Sequence, residues 1–364
     1  MHRRPEGPVQ FMTRYVIRRL LQAIPTLLGV SVISFVLVYN SPGDPILIRT
    51  FDPNITQETR EILRRQLGLD QHWTLQYIGW LTGVTLRSGD VVEEFTRDDF
   101  HCSYAAGLNT TFCNSGGGIL RGNLGTSIAT NQAVWERLTE RMWATFQLGV
   151  SALLFSLLVG VPLGVLSAVR QASLFDNSVR VLAVVGNALP SFWFGLMLIY
   201  YFGVIRGWLP TGGIRTVSLT YEFDLVDRIR HLILPTVVLA VGGIAVISRF
   251  MRTETLEVIR TDYIRMARAK GVAATRIWFV HALGNALIPL MTILGPAILG
   301  VLSGAVIVET IFSWPGMGRM TFSAAVQRDY PTVLGAVMFF SLLTILGNLL
   351  SDVLYGVVDP RVRL

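Results

Sequence analysis

The chain has 364 residues, of which 51% are hydrophobic and only 15% charged, and its formal net charge is +7. Soluble proteins carry about 25% charged residues, so this composition, with a mean hydropathy of +0.51, excludes an ordinary soluble domain. The positive charge does not indicate nucleic-acid binding, because that function would require a basic soluble domain with aromatic residues.

Six uncharged stretches predict six transmembrane helices. A bilayer core roughly 30 Å thick requires about 20 apolar residues in a helix, and all stretches but the fourth reach that length. The fourth is shorter, but His231 and Arg249 at its ends can extend to the interfaces. The stretches are residues 20–43, 142–169, 181–205, 232–248, 277–308 and 331–351. The expected fold class is therefore an all-α membrane protein, with a long loop between helices 1 and 2.

Residues 1–13 are predicted to be a polar cytoplasmic extension, with either Met1 or Met12 as the start, and residues 14–41 the first transmembrane helix. The uncharged part of this helix is too long for the apolar region of a cleavable signal peptide, and no A-x-A-like cleavage site closes it. We therefore expect the first helix to be retained.

Residues 42–141 are predicted to form the long extracytoplasmic loop, and they include both cysteines, Cys102 and Cys113. Two cysteines confined to such a loop favour a disulfide, with two free thiols as the alternative. A metal site is not expected, because only His101 is nearby and no second ligand pair follows.

The distribution of basic residues predicts that both termini are cytoplasmic. About half of the 31 lysines and arginines fall in the predicted inner segments, which together are less than half as long as the outer ones, as the positive-inside rule requires. Residues 142–357 then hold helices 2 to 6 with a basic cytoplasmic loop at 249–276, and residues 358–364 form a cytoplasmic tail.

The sequence contains no catalytic or metal-binding motif. The ATP-binding loop G-x-x-x-x-G-K-[ST], H-E-x-x-H and C-x-x-C are all missing. Glu309 follows the fifth uncharged stretch and Asp352 follows the sixth. Each is either a candidate for a polar translocation path or simply hydrated near an interface.

The cytoplasmic loop 249–276 is predicted to be helical over residues 254–270. Asp262 can pair with Arg265 three residues on, and Gly271 follows as a stop signal. An apolar stripe at helical spacing comprises Leu256, Ile259, Tyr263 and Met266. The pattern fits an amphipathic helix on the inner leaflet or a short helix presented to a cytoplasmic partner, and the small residues beside Gly271 favour the partner.

Residues 262–271 (DYIRMARAKG), followed by 281–289 (HALGNALIP), resemble the EAA-type coupling loop of ABC importer permeases of the dipeptide, oligopeptide and nickel family. Further stretches resemble the B-type subunits of that family. They are residues 14–20, 41–45, 122–127 (GNLGTS), 190–193, 208–210, 309–316 (ETIFSWPG), 329–331 and 359–361. The resemblance covers nearly the whole chain outside the first outer loop.

The resemblance implies a type I importer permease fold in a bacterial or archaeal cytoplasmic (inner) membrane. It implies a sister permease subunit of the C-type, two ATP-binding subunits that hold ATP and Mg, and an extracytoplasmic substrate-binding protein. This chain would hold no cofactor and perform no catalysis. The coupling helix, seated in a groove of the ATP-binding subunit, would be formed by Tyr263, Arg265, Ala267, Arg268, Ala269, Lys270 and Gly271.

The expected substrates are di- or oligopeptides, with nickel or another small solute as the alternative within the family. An ATPase-independent, channel-like membrane subunit is the alternative from a different class. One departure from the family pattern is an apparent insert at about residues 84–118, which contains both cysteines and several acidic residues. It either contacts the binding protein or is a lineage-specific decoration.

Overall fold

The computed structural model describes residues 8–42, 58, 61, 64–65, 69–88, 101–105, 107, 109–114, 117–216, 224–301 and 304–358. These residues are mostly helical. The helices are α1 (Pro8–Tyr39), α2 (Trp73–Thr82), α3 (Val134–Val169), α4 (Leu174–Ala188), α5 (Ser191–Leu198), α6 (Leu225–Ile259), α7 (Asp262–Ala269), α8 (Ala274–Arg276), α9 (Leu283–Gly300), α10 (Val306–Ile311), α11 (Met317–Val326) and α12 (Tyr330–Val358). Two π-helical segments, Ile199–Ile205 and Ile277–Ala282, and a 3-10 turn, Ile119–Arg121, complete them.

Four of the described helices are long and apolar enough to cross a membrane, and they correspond to the first, second, fourth and sixth predicted spans. They are Ile17–Tyr39, Val134–Val169, Leu225–Ile259 and Tyr330–Ser351. The third predicted span is a bent pair that makes a fifth crossing if it is a single span. Residues 277–308 are divided among the second π segment, α9 and α10. Six spans therefore stay a prediction.

The third predicted span contains a sharp bend. Leu174–Ala188 and Ser191–Ile205 meet at an angle of 100°, and Leu189 between them has an extended backbone. Pro190 explains the break, because proline lacks an N–H and disfavours the helical conformation at the residue before it. The prediction of one continuous helix over residues 181–205 is therefore wrong, because a lack of charged residues does not reveal a break that proline causes.

The chain forms two compact units. The first unit comprises Met1–Gln22, Met142–Arg319 and Leu343–Leu364, and the second comprises Ala23–Arg141 and Met320–Leu342. In the first unit, Val165 of α3, Met251 of α6 and Leu290 of α9 share one apolar cluster. A Cβ at Gly164 would lie 2.5 Å from the Ser248 carbonyl oxygen, so this glycine permits the close helix contact that is typical of membrane proteins.

The second unit contains an antiparallel sheet in the segment that was predicted to be an insert. β1 (Val84–Ser88) and β2 (His101–Ala105) lie on either side of β3 (Thr110–Asn114). Cys102 and Cys113 are directly opposite each other on β2 and β3 and form the predicted disulfide. The all-α expectation omitted this sheet, because strands of five residues with few apolar side chains carry little periodic signal.

In the second unit, a buried ion pair joins the first turn of α3 to the turn before α12. Nη1 of Arg137 lies 2.8 Å from Oδ2 of Asp329, and both side chains are almost inaccessible. The Asp329 carboxylate also accepts hydrogen bonds from Ser127, the Ile128 backbone and Thr332. A charge withdrawn from water requires such a full set of partners, so this network fixes the turn before α3 to the turn before α12.

We expect the Cys102–Cys113 disulfide to be present in the purified chain. Non-reducing digestion and mass spectrometry should recover the two cysteine-containing peptides as a linked pair. Closing a loop of this size stabilises the fold by about 3 kcal/mol, so the double variant Cys102→Ser/Cys113→Ser should unfold at a lower temperature. Alkylation of both cysteines without reductant would contradict the assignment.

We expect Asp329→Asn to destabilise the protein by about 3–5 kcal/mol, because it leaves Arg137 buried without its counter-charge. The midpoint of thermal unfolding in detergent measures the change, and adding Arg137→Gln should recover much of the loss. Asp262→Asn is the matched control, since Asp262 pairs with Arg265 on an exposed surface where ion pairs contribute little. Equal midpoints for the two single variants would show that the buried network is unimportant.

Candidate functional site

The predicted coupling loop is built from two helices rather than one. α6 ends at Ile259, and α7 begins at Asp262. The hydroxyl of Thr261 donates to the Val258 carbonyl at 2.6 Å, and Thr261 itself has an extended backbone. Side-chain hydrogen bonds of this kind compete with helix propagation. The prediction of a continuous helix over residues 254–270 is therefore wrong.

The break changes which residues of α7 are buried. Ile264 is 0% exposed, whereas Tyr263 is 39% and Met266 58% exposed. Ile264 packs with Ile277 and Ala282 from the second π segment. The predicted apolar stripe assumed that the helical periodicity of α6 continues through residues 260 and 261. Because the helix breaks there, α7 has a different buried face.

The C-terminus of α7 has the geometry of a glycine stop, as predicted. Gly271 has φ +70°, its N–H donates to the Arg268 carbonyl, and the N–H of Val272 donates to the Ala267 carbonyl. This pair of bonds is the Schellman motif, in which an apolar contact between the residue after glycine and the last turn is common. Ala267 and Val272 indeed share the cluster around Ile264.

The outer face of α7 is cationic and exposed. Of the seven residues predicted for coupling, Ala267 is half-buried and the other six are exposed. Arg265 pairs with Asp262 at 3.3 Å, as predicted, with both side chains largely in solvent. The guanidinium of Arg268 lies 4.9 Å from the centre of the Trp278 ring. α7 thus presents a small positively charged surface to solvent, and Ile264 is its one buried residue.

The cluster under α7 connects it to the longer helices. Val258 of α6 packs against both the Ile264 cluster and the cluster that contains Met251 and Leu290. A displacement of α7 can therefore reach α6 and α9 through continuous side-chain packing, which transmits strain because protein interiors are close-packed.

Glu309, a candidate for the translocation path, is 0% exposed. Its carboxylate accepts from the Thr145 hydroxyl at 3.0 Å and from the Arg319 backbone at 2.8 Å. Gly316 packs directly on it, since a Cβ there would lie 2.4 Å from the carboxylate. Glu309 also borders a cavity of about 190 Å³. The side chain of Asp352, the second candidate, lies outside the part of the chain that the structure describes.

Sequence reasoning missed Asp176, a fully buried carboxylate in α4. Arg252 of α6 binds it through two hydrogen bonds of 2.7 and 2.8 Å, and Ser167 and the Ala172 backbone donate as well. A signal was available, because Asp176 is the lone acidic residue in the short segment between two long uncharged stretches. Among the described residues, no group of acidic, histidine or cysteine side chains could hold a metal ion.

Comparison with known families places this chain among membrane transport components. Residues 160–364 match the model described as "Binding-protein-dependent transport system inner membrane component". Residues 12–115 match the corresponding N-terminal model of these membrane components.

Individual relatives match over almost the whole chain. The oligopeptide transport system permease protein AppB of Bacillus subtilis (strain 168) is 39% identical over 353 residues, which cover 97% of this chain and 100% of that protein. The dipeptide transport system permease protein DppB of Escherichia coli (strain K12) is 37% identical over 371 residues, covering 97% and 99%. A chain of the inward-facing MetNI methionine ABC transporter has a TM-score of 0.46 at 19% identity, covering 61% of this chain and 96% of that chain. By the family models and the relatives, the chain belongs to the family of binding-protein-dependent transport system inner membrane components.

Proposed function

We propose that this chain is the membrane-spanning subunit of an ATP-driven importer that translocates di- or oligopeptides delivered by an extracytoplasmic binding protein. The family assignment and the relatives named for oligopeptide and dipeptide transport support this function. The observation that carries the mechanism is α7, a short exposed helix whose buried Ile264 connects it to the transmembrane helices. Permease subunits of this family are not enzymes, so ATP hydrolysis belongs to separate subunits.

In this proposal α7 is the coupling helix. Its exposed side chains, with Tyr263 and the cations Arg265, Arg268 and Lys270, seat in a groove of an ATP-binding subunit. Movement of that subunit on ATP binding and hydrolysis then displaces α7. The packing of Ile264 and Val258 passes the displacement to α6 and α9, and the permease alternates between inward- and outward-open states.

The assembly in this proposal contains a sister permease subunit, two ATP-binding subunits with ATP and Mg, and the binding protein. In this topology six spans keep both termini on the same side as α7, and that side is the cytoplasm of a bacterial or archaeal cell. The charge distribution supports this orientation, and four of the six predicted spans correspond to long apolar helices. The cavity beside Glu309 makes that residue a candidate for the translocation path, and Asp352 is a second candidate.

We expect Gly271→Trp to reduce ATP-driven uptake by at least about tenfold, because a bulky side chain at the end of α7 would obstruct its docking and strain the positive φ. Gly122→Trp is the matched control. Its φ of +77° is similar to the +70° of Gly271, and an added Cβ meets no neighbour at either site. Uptake and co-purification of the ATP-binding subunits are measured in proteoliposomes and in detergent. Unchanged uptake and assembly for Gly271→Trp would refute the coupling role.

Peptide transport itself is tested with the reconstituted complex and its binding protein. We expect a labelled dipeptide or oligopeptide to accumulate in an ATP-dependent manner, while labelled nickel does not. Uptake of nickel alone would support the alternative substrate, and solute flux without the ATP-binding subunits would support a channel-like subunit instead.

A further inference from the structure

The first unit contains a basic pocket between α4 and α6 that is distinct from the exposed face of α7. The pocket has a volume of about 360 Å³. Arg180 of α4 and Arg249 and Arg252 of α6 line it, together with the hydroxyl-bearing residues Ser248 and Thr253. Guanidinium groups and hydroxyls are the donors that proteins use to bind phosphate, so the chemistry of this wall suits an anion.

The positive charge of the pocket is only partly neutralised. The buried carboxylate of Asp176 is occupied by the two hydrogen bonds from Arg252, and Arg180 lies farther away, at 3.8 Å. Arg249 is exposed, and its guanidinium has no carboxylate partner within the described ranges. Glu254 and Glu257, the acidic residues that follow Thr253 on α6, do not line the pocket. Three guanidinium groups therefore line the pocket, and one buried carboxylate pairs with two of them, which leaves a net positive site.

The pocket lies at the depth where both helices change from charged to uncharged sequence. Arg180 is the last charged residue before the stretch 181–205, and Arg249 is the first after the stretch 232–248. The lining also has an apolar part, which includes Ala183 and Val184 one turn after Arg180 on α4. Val184 is itself 66% exposed, so this apolar part of the lining is accessible from outside the chain. A ligand that matches both the basic and the apolar parts of the lining has an anionic head and an apolar tail.

We propose that this pocket binds an anionic phospholipid, with the phosphate between Arg180 and Arg249 and the acyl chains along α4. Basic pockets between transmembrane helices at the cytoplasmic side are suited to anionic head groups. The bidentate Asp176–Arg252 pair holds α4 and α6 at the spacing that leaves the pocket open. A soluble phosphate compound shares the head-group chemistry, but it gains nothing from the apolar wall.

The test is a titration of the purified full-length chain by native mass spectrometry with dioleoyl phosphatidylglycerol and with dioleoyl phosphatidylcholine, which have the same acyl chains. We expect phosphatidylglycerol to bind at least about tenfold more tightly. Arg180→Gln/Arg249→Gln should weaken its binding by about 10- to 30-fold, since each arginine near an anionic head group contributes appreciably. Arg260→Gln/Arg276→Gln is the matched control, because it removes two exposed positive charges outside the pocket and should change binding less than about threefold.

Two further variants complete the test. One blocks the apolar part of the pocket, and the other retains the positive charge and so controls for misfolding. Ala183→Trp places a bulky side chain in the apolar part of the pocket and leaves both arginines in place. It should therefore reduce lipid binding. Arg180→Lys/Arg249→Lys retains the charge and should keep most of the affinity. Equal binding of the two lipids, equal losses in the two glutamine double variants, or displacement of the lipid by millimolar inorganic phosphate would each overturn the proposal.

Discussion

The folded chain depends on one constraint: a carboxylate that is removed from water must be supplied with donors. Asp176, Glu309 and Asp329 are all at most 1% exposed, and each has at least one partner from a segment far away in sequence. Asp176 binds Arg252, Glu309 binds Thr145 and the Arg319 backbone, and Asp329 binds Arg137 and Ser127. An uncompensated buried charge is strongly destabilising, so each set of bonds fixes the relative position of its segments within a unit.

The Asp176 network lies close to α7, the helix proposed for coupling. Arg252 lies seven residues before the end of α6, a distance of about 10 Å along the helix axis at about 1.5 Å per residue. α7 follows after the two-residue break, and Ile264 packs back toward Val258. The position of α7 is therefore fixed in two ways: the ion pair holds α6 on α4, and Ile264 packs on the second π segment. A rigid connection of this kind is what a helix that transmits force requires.

Features that depend on local composition could be predicted from the sequence. The uncharged stretches 20–43, 142–169 and 331–351 all fall largely within long helices, and Gly271 ends α7 in the predicted left-handed conformation. Predictions failed where one residue interrupts a pattern, as Pro190 does after α4 and Thr261 does after α6. The buried partners could not be predicted, because Asp176 and Arg252 are 76 positions apart and no periodicity relates them.

The same end of α6 carries two kinds of arginine with different roles. Arg252 is neutralised by a buried carboxylate and so serves the packing of α4 on α6. Arg249, almost one turn earlier, lines the pocket as an exposed charge directly after the uncharged stretch 232–248. Replacing the Asp176–Arg252 pair with apolar residues could preserve the helix contact, but it would remove the polar wall beside Arg249. The ion pair thus fixes the helix spacing and gives the pocket a polar lining, while Arg180 and Arg249 supply its excess positive charge.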